Sequence, residues 1–182
     1  IGKTYGGLSG KSKEDFGHGD ARFVTYMNVF SNPVGDPAMT EAIELDSRQN
    51  EVKKGDIFFT TSSETPEEVG MSCVWMQNTP NTYLNSFCFG YRPIVELDLY
   101  YLAYVLRSNT VRHKFIFLAQ GISRYNISKN KVMEMLIPVP NKGEQVLLGA
   151  FFKNLDNLIT LHQRQVEKLK NIKSALLEKM FV

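Results

Sequence analysis

Over the last forty positions, apolar residues recur with a seven-residue beat. Leu148, Leu155, Leu169 and Leu176 fall on one seam position, and Phe152, Ile159, Val166 and Met180 fall on the other. His162 and Lys173 are the two polar members, so eight of the ten seam positions are apolar. A repeat this regular predicts one long helix with a coiled-coil seam rather than the mixed stripe of a globular helix. Asn141, with Glu144 three residues on, forms a capping box that starts it. About 38 residues at ~1.5 Å each make a rod of roughly 57 Å. A rod of that length cannot bury its seam against a small domain, and it requires a second helix.

Upstream the pattern shortens. Ala21 to Phe30 is rich in β-branched and aromatic residues and predicts a strand, broken by Asn32-Pro33 and Gly35-Asp36-Pro37. Thr40 to Val52 is polar and mixed. Lys54-Gly55-Asp56 makes a tight turn into the strand Ile57-Phe58-Phe59-Thr60, and Met71–Met76 and Leu84–Phe89 predict two more strands. Asp98 caps a helix that turns Leu99, Leu102, Ala103 and Leu106 to one side, and a short helix follows. Leu136-Ile137-Pro138-Val139-Pro140 is an extended exit. The fold class expected is α+β: a globular mixed α/β domain over 1–140, then one long C-terminal coiled-coil helix over 141–182.

Composition adds bounds. A chain of 182 residues, 43% hydrophobic, leaves room for one domain with a real core. No apolar run reaches ~18 residues, so no membrane contact is expected and the location expected is cytoplasmic. Cys73 and Cys88 lie in apolar segments with no histidine nearby, which predicts buried free thiols rather than a disulfide or zinc. Net charge is +2 but unevenly spread. Residues 1–98 carry a net −6, residues 99–140 a net +5 and residues 141–182 a net +3. A basic patch from the middle segment would face a polyanion.

Three runs carry binding chemistry without catalytic chemistry. Gly6-Gly7-Leu8-Ser9-Gly10-Lys11-Ser12-Lys13 is a flexible basic loop suited to phosphates or to plain solvent exposure; its glycine spacing is not that of a Walker loop. Thr61-Ser62-Ser63-Glu64-Thr65 sets short polar groups at a strand end, either as a capped turn or against base edges, where Glu64 can accept from a cytosine amino group. Gln120 to Lys129 holds a guanidinium, an aromatic ring, amides and hydroxyls beside Gly121, and as a plain alternative it forms a hydrogen-bonded turn. Asn78-Thr79-Pro80-Asn81 lacks the second proline and the aromatic residue of an amino-methyltransferase motif. His18, His113 and His162 sit in unrelated contexts, and no metal-spaced cluster, nucleophile elbow or G-x-G-x-x-G is present. The chain reads as a binder.

The most specific stretch runs from Pro138-Val139-Pro140 through Glu144-Gln145, Leu148-Gly149-Ala150-Phe151-Phe152, Leu155-Asp156 and Ile159 to His162-Gln163-Arg164, ending at Leu169-Lys170 and Lys179-Met180-Phe181. It closely resembles the conserved helix of specificity (S) subunits of type I restriction–modification systems. Gly55-Asp56, the 61–65 run and Gln120-Gly121 are further landmarks of that resemblance. It implies one target-recognition domain plus one conserved helix, half of a full subunit, and a non-catalytic role in reading double-stranded DNA. Modification (methyltransferase) subunits would bring S-adenosylmethionine and restriction subunits ATP and Mg, with no cofactor in this chain. The departure from two copies to one implies either an excised half of a larger chain or a half-subunit that dimerises, and the expectation is an antiparallel homodimer through the seam, reading a symmetric interrupted site. His162, near mid-rod, then either sets the register or sits at the seam edge with Lys173. The residues expected on DNA are Lys11, Ser12 and Lys13 on the backbone and Ser62, Ser63 and Glu64 in the groove. Arg112, Lys114, Arg124, Tyr125, Asn126 and Lys129 complete that surface. Lys153, Asp156, Arg164, Lys168 and Lys170 are expected on the outward face of the rod, toward the modification subunits. A structural coiled-coil protein with a protein-binding head, and an enzyme with an unrecognised site, are the alternatives.

Overall fold

The strand that starts at Ile57 opens with three apolar residues in a row because both of its faces are covered. Ile57 and Phe59 point into one core cluster and Phe58 into another. The computed structural model describes residues 2–181. In it β1 (Gly2–Gly6), β4 (Ile57–Thr60), β6 (Ser72–Val74) and β8 (Cys88–Pro93) form an antiparallel sheet in the order β1-β8-β4-β6. A second sheet has β2 (Phe16–Val24) between β3 (Thr40–Ile43), antiparallel, and β7 (Thr82–Leu84), parallel. A two-stranded ribbon pairs β5 (Ser62–Ser63) with β9 (Tyr125–Asn126).

One face of the four-stranded sheet packs on the helices α2 (Leu99–Val105), α3 (Asn109–Leu118) and α4 (Lys129–Met133), around Phe59, Phe89, Leu102, Val111 and Phe115. The other face buries Phe58, Trp75, Cys73 and Cys88 against Val24 and Val29. Both cysteines are free and buried, as expected. At the edge where β4 begins, Gly55 adopts φ +90°, the left-handed conformation that the predicted turn needs. The turn delivers Asp56 fully buried. Its carboxylate accepts two bonds from the Arg92 guanidinium at 2.7 Å each, one from the Tyr5 hydroxyl at 2.5 Å and one from the Lys53 amide at 2.8 Å. Four donors offset the cost of burying this charge. Burial, and then the Asp56 charge, push the Tyr5 phenol far above its ordinary value.

Three predicted strands need correction. The segment Ala21–Phe30 leaves the sheet at Val24, and Tyr26–Ser31 is a helix, α1. Thr25 caps it by accepting from the Asn28 amide at 3.2 Å. The Asn28 side chain, fully buried, then binds the backbone of Asp36 in both directions, so tertiary bonds override the local β preference. Leu84–Phe89 is not one strand but the end of β7, a turn at residues 85–87 and the start of β8, and Met71–Met76 keeps only Ser72–Val74 as β6.

The rod is present as α5 (Lys142–Met180), 39 residues. Asn141 caps it, its side chain accepting from the Glu144 amide at 3.0 Å. Its first four turns lie on α2. Gln145, buried, accepts from the Asp98 amide and donates to the Pro140 carbonyl. Gly149 touches α2 so closely that a Cβ there would stand 2.5 Å from Asp98 Oδ1. Phe152 meets Tyr104 at 5.4 Å between ring centroids, and the Tyr104 hydroxyl donates to Asp156 at 2.7 Å. Lys153 Nζ lies 4.4 Å from the centre of the Tyr100 ring. Lys153 and Asp156, although exposed, thus each touch a tyrosine of this chain's own domain. Arg164, Lys168 and Lys170 remain exposed.

Candidate nucleic-acid interface

The 61–65 and 120–129 runs, far apart in sequence, are neighbours in space. Ser62 pairs with Asn126 and Ser63 with Tyr125. Asn126 in turn exchanges both backbone bonds with Gln120, at 2.9 and 2.8 Å. The Ile127 amide donates to the Thr61 carbonyl, and the Thr61 amide and hydroxyl both donate to the Phe87 carbonyl. The Tyr26 hydroxyl fixes the ribbon to α1 by donating to the Ser62 carbonyl at 3.0 Å, and burial pushes its phenol up. The result is a hydrogen-bonded ribbon closed by the loop Gln120–Asn126. Gly121 makes that closure possible. Its φ is +143°, and a Cβ would stand 2.0 Å from the Arg124 carbonyl oxygen.

Five of the twelve expected contacts gather here with accessible side chains. Glu64, Arg124, Asn126 and Lys129 are exposed and Tyr125 is half-buried. Ser62 and Ser63 belong to the ribbon and are largely buried, and the Ser63 hydroxyl donates to the Thr65 carbonyl.

Arg112 and Lys114, two more of the expected basic contacts, are bound to the fold elsewhere, which thins the expected basic patch. Arg112 donates to the carbonyls of Gly70, Glu67 and Val69 at 2.6–2.8 Å and lies 5.0 Å from the centre of the Phe115 ring. Lys114 donates to the Leu136 carbonyl at 2.5 Å. Arg107 likewise binds the carbonyls of Ser72, Val29 and Phe30, and burial lowers its guanidinium to about 10. These side chains close the ends of α1 and the 65–70 loop, where backbone carbonyls lack partners.

The opening loop is similarly tied down. Lys11 Nζ lies 3.4 Å from Asp15 and 3.3 Å from Asp46, and its side chain is only 8% exposed. The Ser12 hydroxyl and amide both donate to Asp15. The bonds from Arg48, then Gln49, hold the Asp46 carboxyl well below the usual carboxylate range. Ser12, although bonded to Asp15, and Lys13 are both exposed. Among the described residues, no group of three or more His, Cys, Asp or Glu side chains could hold a metal ion.

The second exposed feature is the rod. Its seam from Leu155 to Met180 is uncovered, with the apolar side chains 40–71% exposed. A flanking row, Phe151, Leu158 and Ile172, is also exposed and widens the apolar stripe beyond the seam itself. His162 meets only Gln165 of its own helix, at 3.1 Å.

Comparison with known proteins gives the family and the fold. The family described as "Type I restriction modification DNA specificity domain" matches residues 6–171. The chain belongs to this family. A Methanocaldococcus jannaschii protein, named for the specificity subunit of the type I restriction enzyme MjaX, is 28% identical over 87 residues. That match covers 47% of this chain and 20% of the relative. The S subunit of the type I restriction–modification system of M. genitalium aligns with a TM-score of 0.55 at 18% identity, covering 88% of this chain and 39% of that one. The HsdS subunit of Thermoanaerobacter tengcongensis aligns with a TM-score of 0.60 at 16% identity, covering 98% and 42%. A third structure, reported for complex assembly and conformational transition of the type I system, gives 0.64 at 17% identity, covering 98% and 43%. The chain thus spans less than half the length of the relatives it matches. The shared fold includes the long helix, so the α+β class with its terminal rod holds.

Proposed function

We propose that this chain reads one half of an interrupted double-stranded DNA site as the specificity component of a type I restriction–modification complex, without chemistry of its own. The observation that supports this best is the ribbon: a fixed loop that brings Glu64, Arg124, Tyr125, Asn126 and Lys129 to one exposed place. An arginine can take guanine O6 and N7 together, an amide side chain can do the same for adenine, and a carboxylate can accept from cytosine. Lys129 and Lys13 suit phosphates, which set orientation without carrying sequence information.

The rod completes the reading. A two-fold antiparallel pair would cover the uncovered seam and hold two identical reading heads at a fixed spacing. The target would then be a palindrome with an unread spacer. Modification subunits, which would supply S-adenosylmethionine, and restriction subunits, which would use ATP and Mg, would dock on what remains exposed. The row Phe151, Leu158, Ile172 and the cations Arg164, Lys168 and Lys170 are the available surface. A cytoplasmic location follows from that assignment. Selection from a pool of random duplexes tests the proposal, with one interrupted palindromic motif as the expected outcome. Enrichment of no motif, with binding governed by salt alone, would count decisively against it.

A further inference from the structure

The most exposed large apolar residue among those described is Ile122, 95% accessible at the tip of the Gln120–Asn126 loop. A bare isoleucine on a floppy loop would mean little. This loop, however, is closed by the Gln120–Asn126 pair, made compact by Gly121 and continuous with the β5–β9 pairing. Its base is tied inward by Ile127, which is buried, and by Tyr125, which packs at the edge of the main core. A β-branched side chain has little rotamer freedom to lose when it meets a surface. Ile122 is followed directly by Ser123 and the exposed Arg124, so an apolar tip and a cation occupy the same short loop.

We propose that Ile122 reads a thymine by packing on its C5 methyl group in the major groove, an inference that rests on the DNA-reading role above. The major groove is about 12 Å wide and admits a two-stranded ribbon. The thymine methyl is the apolar feature that base edges present there, and the polar groups on either side suit Arg124 and Ser123. Ile122 is thereby a specificity residue, while the lysines nearby contribute orientation.

The test starts from the duplex selected by the full wild-type chain. Each thymine is replaced in turn by deoxyuridine, which removes only the methyl group. One replacement is expected to weaken wild-type binding about fourfold, the size of one buried methyl. Ile122→Ala should weaken binding to the thymine duplex by a similar factor and respond equally to thymine and uracil at that position. Ile122→Val should keep the discrimination. Equal affinity of wild type and Ile122→Ala for every duplex would overturn the inference and mark Ile122 as a contact for protein. A rise in 2-aminopurine fluorescence that depends on Ile122 would also overturn it, because that reports a wedge between unstacked bases rather than an edge contact. If wild type selects no motif at all, the DNA-reading role fails first, and this is distinguishable from a selected motif that ignores Ile122.

Discussion

The uncovered seam allows a numerical test by Ile159→Asp. Ile159 sits 54% exposed, past the last contact of the rod with α2. In an antiparallel pair centred at the middle of the Leu148–Met180 seam, it faces Leu169 of the partner subunit. Complete burial of an isoleucine is worth about 1.5–3 kcal/mol, so covering its exposed half contributes roughly 1 kcal/mol per copy. Two-fold symmetry counts the loss twice. A carboxylate at the same place adds a desolvation cost of at least about 1 kcal/mol per copy, even allowing for protonation. The sum, about 4 kcal/mol per dimer, weakens association by roughly three orders of magnitude. Sedimentation equilibrium at micromolar protein should then show a wild-type dimer and a variant monomer. Asn157→Asp, which adds the same charge on the opposite side of the rod, should leave the dimer intact. Thermal unfolding of the globular part should not move, since an exposed helix substitution costs well under about 1 kcal/mol. A monomeric wild type, or an Ile159→Asp dimer with unchanged affinity, would refute the pairing.

Other outcomes follow from particular contacts. Gly149→Ala places a Cβ 2.5 Å from Asp98 Oδ1 and 2.8 Å from the Tyr101 amide, and should cost about 1–3 kcal/mol in chemical denaturation by prying α5 from α2. Arg112→Ala strands three backbone carbonyls and should lower stability by about 2–4 kcal/mol; Arg124→Ala should leave stability within about 0.5 kcal/mol while weakening specific DNA binding about tenfold or more. Burial pushes the Cys73 and Cys88 thiols up to about 12, so at pH 8 roughly one molecule in ten thousand carries a thiolate at either site, and a thiol reagent should modify them only as the chain unfolds. The Asp15 carboxyl is held below 3.8, chiefly by the Ser12 amide. A depressed acid contributes its stability above the unfolded value and loses it as pH falls through the folded one, so the Ser12 amide shift should titrate in NMR with a midpoint below 3.8.

Much of the fold was legible because its determinants are local. The seam needs only a seven-residue period, the β4 turn only Lys54-Gly55-Asp56, and the caps at Asp98 and Asn141 only one side chain each. The helix at Tyr26–Ser31 was not legible. Its β-branched and aromatic residues match a strand, and the bonds that decide the matter join Asn28 to Asp36 and Met39 across a loop. The joining of the 61–65 and 120–129 runs was equally hidden, since two-residue strands carry no period at all. Gly121 inside a polar run was the available sign that a tight closure stood there.

The charge count misled for a physical reason that also sharpens the candidate site. A net of +5 over residues 99–140 suggested a basic patch, yet three of its six cations are bound to backbone carbonyls. Arginine has five donors in a planar fork and is well suited to close helix ends and loops, so it is as readily consumed by a fold as offered to a phosphate. The cations left at the ribbon are Arg124, Lys129 and Lys131. Under the proposed DNA-reading role, so few cations at the ribbon would leave phosphate contacts a modest share of affinity and discrimination to the base-edge groups that the closed loop holds. The proposal then predicts a weak salt dependence per reading head, of the order of three counterions, alongside strong sequence selection. A steep slope would mean that the carbonyl-bound arginines let go of the fold when DNA arrives.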